Sequence, residues 1–73
     1  MRLTQAEIVA AVRKHALENY ETGGWDSIVE CYDDADIIRE MGAATTAEEA
    51  IRNVGRLADI WDDRRQDIQA EAF

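Results

Sequence analysis

Three aspartates within four residues, in the segment "DDAD", form the densest group of metal-ligating side chains in this sequence. Asp33, Asp34 and Asp36 offer the carboxylate oxygens that calcium and magnesium prefer. The segment does not continue into a calcium loop, because the glycine at the sixth loop position and the glutamate at the twelfth are missing. Helix capping therefore explains these aspartates better than a metal ion, and we expect neither a metal nor a cofactor.

The single histidine and the single cysteine are the other residues with catalytic or metal-binding chemistry. His15 and Glu18 are one helical turn apart, but a di-metal bundle uses the order Glu-x-x-His together with several further inward carboxylates. His15 and Cys31 could act as base and nucleophile, yet no residue is placed to orient them and no Gly-rich oxyanion loop is present. We interpret His15 as a partly buried packing residue and Cys31 as a buried free thiol, and we expect no enzymatic activity.

The composition indicates a small folded domain with an acidic surface. Among 73 residues, 16 are Asp or Glu and 8 are Lys or Arg, which gives a formal charge of -8 and a pI near 4.4. The hydrophobic fraction of 47% excludes the profile of a disordered chain. We therefore expect one domain over residues 1–73. Its electrostatic field should repel phosphate and attract basic surfaces, which argues against nucleic acid as a direct ligand.

Sequence features that would direct the chain to a membrane or an oxidising compartment are not recognisable. The one cysteine cannot form an intrachain disulfide, and no signal-peptide core or long apolar run is found. The expected location is a reducing cytoplasm.

Apolar residues recur at helical spacing throughout, and the chain has no proline, so we predict an all-α fold. The expected architecture is a small bundle of three to four helices. The first helix begins at Thr4, which has capping-box spacing to Glu7, and Gly23 or Gly24 ends it. Its predicted apolar face consists of Ile8, Val9, Val12, Ala16 and Tyr20.

Two short helices are expected in the centre of the chain. The segment "WDSIVE" predicts the second helix, with Ser27 and Glu30 at capping-box spacing. The third begins at Asp33 or Asp34, where acidic residues complement the helix dipole, and it stops at Gly42. With the helix that follows, it has the outline of a helix-turn-helix.

A long amphipathic helix is predicted for the C-terminal part of the chain. It begins in "AATTAEE" with two overlapping capping boxes, Thr45 to Glu48 and Thr46 to Glu49, and runs almost to the C-terminus. Gly55 leaves a bend or break as an alternative. The predicted apolar stripe consists of Ile51, Val54, Leu57, Ala58, Trp61, Ile68 and Ala72.

The length of this helix predicts an intermolecular contact. About 27 residues would span roughly 40 Å, so the part from about Asp59 is expected to extend beyond its own core. Arg65 lies within the apolar stripe, which suits a buried ion pair or a side chain that extends to the edge of a subunit seam. Trp25 and Trp61 are the two tryptophans of the chain, and side chains of this size usually pack in a hydrophobic core. Trp61 is the better candidate for an interface because it lies on the distal part of the helix.

Carboxylates on the helix faces are the feature that most favours a function. Duplex DNA carries one negative charge per roughly 1.7 Å of its axis, and carboxylates along a helix can imitate such a row in a basic groove. The alternative is an ordinary solvated face with local ion pairs such as Glu48–Arg52, Arg56–Asp59 and Asp62–Arg65. The candidate partner-binding acids are Asp33, Asp34, Asp36, Glu48, Glu49, Asp59, Asp62 and Asp63.

Three segments carry a resemblance to known proteins: "NYETGGWDSIVECYDDADI", "ATTAEEAIRNV" and "DIQAEAF". They resemble small acidic proteins of bacteriophages, prophages and mobile elements, and the resemblance covers most of the chain from Asn19 onward. In size and acidity the chain also looks like phage anti-CRISPR proteins. That likeness implies direct binding to a host Cas complex, in some cases by imitation of DNA, and it transfers no residue role.

We therefore expect a phage anti-CRISPR or anti-defence inhibitor that binds a host nucleic-acid-binding complex in the bacterial cytoplasm. The eight candidate acids and Trp61 would contact the partner. One alternative is a helix-turn-helix regulator, which Glu48 and Glu49 at the start of the recognition helix disfavour because they repel phosphate. The other alternative is a structural homodimer paired along the last helix, in which the acids only confer solubility.

Overall fold

A computed structural model describes the backbone of residues 3–71 and the side chains of residues 3–65. It confirms the predicted all-α fold, with four helices in a small bundle. The helices are α1 (Gln5–Glu18), α2 (Trp25–Cys31), α3 (Asp34–Met41) and α4 (Ala47–Glu71). Helix α4 is the central helix of the bundle, because it contacts each of the other three helices. No helix in this part of the chain is both long and apolar enough to cross a bilayer.

Helix α1 begins with the predicted capping box and ends earlier than predicted. The hydroxyl of Thr4 accepts from the amide of Glu7 at 3.2 Å, and the Glu7 carboxylate accepts from the amide of Thr4 at 3.0 Å. At the other end, Asn19 is the C-cap, and its side-chain amide donates to the carbonyl of His15 at 2.8 Å. Tyr20 therefore lies in the following turn and not on the apolar face of α1, because the Asn19 side chain competes for the last helical carbonyls.

Helix α2 begins at Trp25, and its N-cap is Gly24 in the left-handed region with φ of 78°. The predicted capping box between Ser27 and Glu30 is wrong, because both side chains bind elsewhere. The Ser27 hydroxyl accepts from the Arg65 guanidinium at 2.9 Å, and the Glu30 carboxylate accepts from a tyrosine hydroxyl in the preceding turn. Capping-box spacing occurs here inside a helix, where the polar side chains serve tertiary contacts.

Helix α3 and the turn after it follow the predicted outline. Asp33 is the N-cap, and it forms a complete capping box with Asp36. Gly42 ends the helix with φ of 60°. The side-chain amide of Asn53, on α4, donates to the carbonyl of Met41 at 2.9 Å and so satisfies a carbonyl at the end of α3. The predicted helix-turn-helix outline is thus present as α3, a short turn and α4.

Only one of the two capping boxes predicted for α4 forms, and in altered form. The Thr46 hydroxyl accepts from the amide of Glu49 at 3.2 Å. The Glu49 carboxylate accepts from the amide of Thr45 at 3.4 Å, which leaves this amide no role in a box with Glu48. From this start, α4 continues for 25 residues without a break. That length corresponds to about 37 Å, against lateral extents of 20 and 18 Å for the chain.

Small side chains on α4 allow the other helices to approach it closely. Ala50, Val54 and Ala58 are all 0% exposed. Around them lies one hydrophobic core, whose other buried members are Ile8, Val9, Val12, Ala16, Ile28, Ile37, Met41 and Ala44. Partly buried side chains complete the core from its edge: Trp25, Tyr32, Ile38, Ile51, Leu57 and Trp61.

The apolar stripe of α4 therefore packs against the protein's own core as far as Trp61. Ala58 is buried, and Arg65 contacts α2, so the segment after Asp59 is covered by its own fold for longer than predicted. The reason is that α2 and the turn before it pack on the middle of α4. Ile68 and Ala72, the last members of the predicted stripe, lie outside the described side chains.

Gly55 interrupts neither α4 nor its packing, and we expect Gly55→Ala to stabilise the protein. A Cβ at this position would lie 3.5 Å from Cζ2 of Trp25, an ordinary van der Waals contact. Alanine in a helix interior is favoured over glycine by about 0.5–1 kcal/mol. The midpoint of urea unfolding, monitored by helical circular dichroism, should rise accordingly. A lower midpoint would show that the indole ring of Trp25 cannot accommodate even one methyl group.

Candidate functional site

The three aspartates around the start of α3 are engaged within the fold. Asp33 and Asp36 cap the helix, and the pKa of Asp33 lies below its ordinary value chiefly because it accepts a hydrogen bond from the backbone amide of Asp36. Asp34 pairs with Arg13 of α1 at 2.6 Å. Asp36 also pairs with Arg39 at 2.7 Å. Helix capping is confirmed as the local role of this cluster, and its charge is partly neutralised.

Metal-ligating side chains do not converge in the described part of the chain. Within residues 3–65, no group of three or more His, Cys, Asp or Glu side chains is arranged to hold a metal ion. His15 is half-buried and packs edge-on against Trp25, with ring centroids 4.8 Å apart and an interplanar angle of 72°. That contact agrees with the predicted packing role. Cys31 is exposed, contrary to the expectation of a buried thiol, because it ends α2 on the solvent side.

The exposed side of α4 carries charges of both signs. We call this surface the outer face; its residues are Glu48, Glu49, Arg52, Arg56, Asp59, Ile60, Asp63 and Arg64. Four carboxylates alternate along it with three guanidinium groups. The predicted ion pairs Glu48–Arg52 and Arg56–Asp59 are not among the ion pairs of the described side chains. The outer face is therefore a mixed-charge band and not a row of carboxylates.

Asp62 lies on a different side of α4 from the outer face. Its residue is half-buried, and it borders a hollow beside the turn between α1 and α2. The amide nitrogen of Asp62 lies close to Gly24, where an added Cβ would be only 3.0 Å away. Asp62 also raises the pKa of Arg65 through its charge, although the main cause of that shift is the hydrogen bond of Arg65 to Asp26. Four of the predicted acids thus lie on the outer face, and Asp62 belongs to a separate surface.

This second surface surrounds the turn of residues 19–24, and we call it the turn face. Its residues are Leu17, Tyr20, Glu21, Thr22, Asp26 and Asp62. It contains two adjoining hollows of about 220 and 330 Å³, which share the residues from Tyr20 to Thr22. Leu17 is 61% exposed and Tyr20 is 37% exposed, so the turn face combines carboxylates with accessible apolar surface.

Hydrogen bonds and an ion pair hold the turn face in place. Arg65 of α4 pairs with Asp26 at 2.9 Å and donates to Ser27, which ties α2 to α4. The Thr22 amide and hydroxyl both donate to the carbonyl of Asn19 at 2.9 Å. The Tyr20 hydroxyl donates to a carboxylate on α2, and this bond raises the pKa of Tyr20. A surface fixed in this way loses little conformational entropy when it binds a partner.

Trp61 lies near the turn face, but it is not an exposed anchor. Its side chain is half-buried and packs against the hydrophobic core. The predicted interface role of Trp61 therefore competes with a packing role that the fold already gives it. Among the described residues, the large apolar side chains that are exposed are Leu3, Leu17, Tyr20 and Ile60.

Sequence patterns did not single out the turn face. The double glycine before Trp25 marks a tight turn, which the sequence predicted as the end of the first helix. A glycine can also mark a close backbone approach. Which part of α4 meets this glycine depends on the packing of α2. Arg65 was therefore predicted to form an ion pair, but Asp26 was not recognised as its partner.

We expect acid to weaken the link between α2 and α4. The hydrogen bond from Arg65 lowers the pKa of Asp26 below its ordinary value of 3.8. Because the folded-state pKa is the lower one, this carboxylate stabilises the fold above about pH 4, and the stabilisation is lost as pH falls through the folded-state value. Asp26→Asn should therefore lower the unfolding temperature near neutral pH, and the difference from the wild type should disappear as pH falls through the folded-state pKa of Asp26.

The measurement is thermal unfolding by circular dichroism across this range. Asp63→Asn removes the same charge from the outer face and serves as the control for net charge. If Asp26→Asn and Asp63→Asn lower the unfolding temperature equally at neutral pH, the ion pair with Arg65 contributes no specific stability.

No protein-family model matches the chain, and neither the curated proteins nor the solved structures contain a significant match to it. The resemblance to phage proteins thus stays a prediction.

Proposed function

We propose that this protein is a phage-encoded inhibitor of a bacterial defence complex, of the anti-CRISPR type, which binds a basic nucleic-acid site in the host cytoplasm. One observation carries the proposal: an excess of carboxylates on an exposed surface. The formal charge is -8, and no charged side chain among residues 3–65 is buried. A surface of this kind attracts a basic groove and accelerates association with it.

The form of the imitation follows from the placement of the acids. Arg52 and Arg56 separate Glu48 and Glu49 from Asp59 on the outer face, so α4 does not reproduce a phosphate row. The proposal therefore relies on the summed field of the molecule, to which the outer face, the turn face and the start of α3 contribute. No catalytic step is involved, because occupation of the site is sufficient to exclude DNA or RNA.

Competition with DNA tests the proposal directly. Purified protein would be added to guide-loaded CRISPR effector complexes bound to fluorescent target DNA, and displacement would be followed by anisotropy at low and high salt. We expect displacement from at least one complex at about 0.1 M salt and a much weaker effect at about 0.5 M, because salt screens exposed charges. If no effector or restriction complex releases its DNA, the proposal is wrong.

Charge reversal provides the matched variant. Glu21 lies in the turn before α2, and Glu48 and Asp63 lie 15 positions apart on α4. All three are exposed, so their joint replacement by lysine should leave the helical signal intact. We expect the affinity for the inhibited complex to fall on the order of 100-fold. The affinity of the variant with Gln or Asn at the same three positions should lie between that of the wild type and that of the lysine variant. Undiminished inhibition by the lysine variant would show that charge does not drive binding.

A second candidate is a DNA-binding regulator, since α3, its turn and the start of α4 have helix-turn-helix order. Glu48 and Glu49 occupy the first turn of the would-be recognition helix, where they face phosphates unfavourably. A mobility-shift assay with random duplex DNA at low salt distinguishes the two functions, because the inhibitor should give no shift.

A further inference from the structure

The turn face combines three properties that suit the binding of a partner. It is concave, with two hollows that are both lined by residues 20–22. It exposes two large apolar side chains, Leu17 and Tyr20, within four residues of the chain. It is acidic, because Glu21, Asp26 and Asp62 border the first hollow. Concave surfaces with accessible apolar groups are favoured sites for partners.

The charge of the turn face determines which class of partner fits it. The first hollow is bordered by three carboxylates and one guanidinium group, that of Arg65. Glu30 adds a further carboxylate, which accepts from the Tyr20 hydroxyl. A second copy of this chain would bring another net charge of -8 to the contact, and a nucleic acid would bring phosphates. Although Asp26 already pairs with Arg65, the carboxylates around the hollow outnumber the guanidinium group, so a basic partner lowers the electrostatic energy of this surface and an acidic partner raises it.

The backbone of the turn face is held in one conformation. Gly24 packs directly on α4, where a Cβ would overlap the carbonyl oxygen of Ala58. The Trp25 amide donates to the carbonyl of Thr22 at 3.2 Å, and Asn19 closes the end of α1. The hollows therefore exist before any partner arrives, which favours a recognition role.

We propose that the turn face is the docking surface for a basic protein segment, whose lysine or arginine side chain enters the hollow beside Glu21 and Asp62 while a neighbouring apolar side chain packs on Leu17 and Tyr20. This inference rests on the proposed function, for which it names the contact surface and the chemistry of the partner. The net charge of the whole molecule then contributes long-range attraction, and the turn face provides the close contact.

A peptide titration tests the surface independently of any host complex. The probe is a short synthetic peptide of lysine, arginine and leucine, added to isotope-labelled protein and followed by amide chemical shifts. We expect the largest shifts at residues 17–24 and 62–65. Replacing leucine by serine in the peptide should weaken binding by about tenfold. Shifts centred on residues 48–59, shifts spread over all acidic residues, or no shifts at all would overturn the proposal.

Two pairs of variants separate close contact from general attraction. Leu17→Ser is matched by Ile60→Ser, because both side chains are exposed and helical but only the first borders the turn face. Glu21→Lys is matched by Asp63→Lys, which changes the net charge equally. We expect Leu17→Ser and Glu21→Lys each to weaken peptide binding by about tenfold. The control variants Ile60→Ser and Asp63→Lys should weaken it by about twofold or less.

The same four variants in the DNA-displacement assay distinguish the two proposals. If the wild type inhibits a host complex and all four variants inhibit it equally well, the docking role of the turn face is refuted and the inhibitor function stands. If the wild type inhibits no complex, the inhibitor function is refuted, and the peptide titration still decides whether the turn face binds basic segments.

Discussion

Gly24→Ala is expected to destabilise this protein more than any of the other substitutions. The residue has φ of 78°, and an added Cβ would overlap the carbonyl oxygen of Ala58 and lie 3.0 Å from the amide nitrogen of Asp62. Both obstacles are backbone atoms of α4, which cannot rotate away, so α2 would have to move off α4. We expect a loss of about 3–5 kcal/mol, from left-handed strain together with lost packing. A domain of this size has roughly 4–11 kcal/mol in total.

Thermal unfolding monitored by circular dichroism measures this loss, and the unfolding temperature should fall by about 15 °C or more. The adjacent Gly23→Ala is the matched control, since Gly23 also has positive φ, at 49°, but nothing lies within 4 Å of an added Cβ. That variant should cost only about 1 kcal/mol from backbone strain. Equal losses for the two variants would mean that the contact of Gly24 with α4 contributes no stability.

Ile28→Ala is expected to have the second largest effect. Among the described residues of α2, Ile28 is the only buried side chain, with 1% exposure, and it connects this short helix to the core. Truncation removes apolar burial and leaves a cavity, which together typically cost about 2–5 kcal/mol. Because a seven-residue helix cannot persist without tertiary packing, α2 should detach as a unit. Denaturant unfolding gives the free energy, and amide hydrogen exchange shows whether α2 loses protection first.

Ile60→Ala is the control for this second prediction. Ile60 is also helical, but it is 48% exposed on the outer face, so its truncation should change the free energy of unfolding by no more than about 0.5 kcal/mol. Alanine has the higher helix propensity, which offsets part of any loss. If Ile28→Ala lowered the free energy of unfolding no more than Ile60→Ala does, the result would contradict the burial of Ile28 in the core.

Both predictions concern the framework that holds the turn face. Gly24 places the turn on α4, and Ile28 anchors the helix that carries Asp26. A variant that releases α2 should therefore lose binding of a basic segment together with stability. The surface variants Leu17→Ser and Glu21→Lys should lose binding alone, which separates recognition from folding.

Local signals were sufficient to predict most of the helix boundaries. Thr4 with Glu7 and Asp33 with Asp36 cap their helices as their spacing indicates, because a capping box involves residues only three positions apart. Ser27 with Glu30 has the same spacing and forms no cap, since α2 had already begun at Trp25. Spacing alone cannot show whether a polar pair starts a helix or lies within one.

The candidate site was predictable in part. The acidic excess and its exposure follow from composition, because isolated carboxylates are rarely buried. The division of the acids between surfaces does not, because it depends on how α2 and the turn before it pack against α4. Asp62 and Asp63 are neighbours in sequence, yet one borders the turn face and the other lies on the outer face.

By itself, the sequence determined the all-α class, the amphipathic α4 and the negative charge, since each depends on composition or on periodicity along one chain segment. The tertiary structure alone decided that Arg65 pairs with Asp26 and that Gly24 contacts Ala58. These pairs are more than 30 positions apart in the sequence, so only the packing of α2 on α4 brings them together. The turn face is a product of that packing, and therefore no pattern along the chain could have located it.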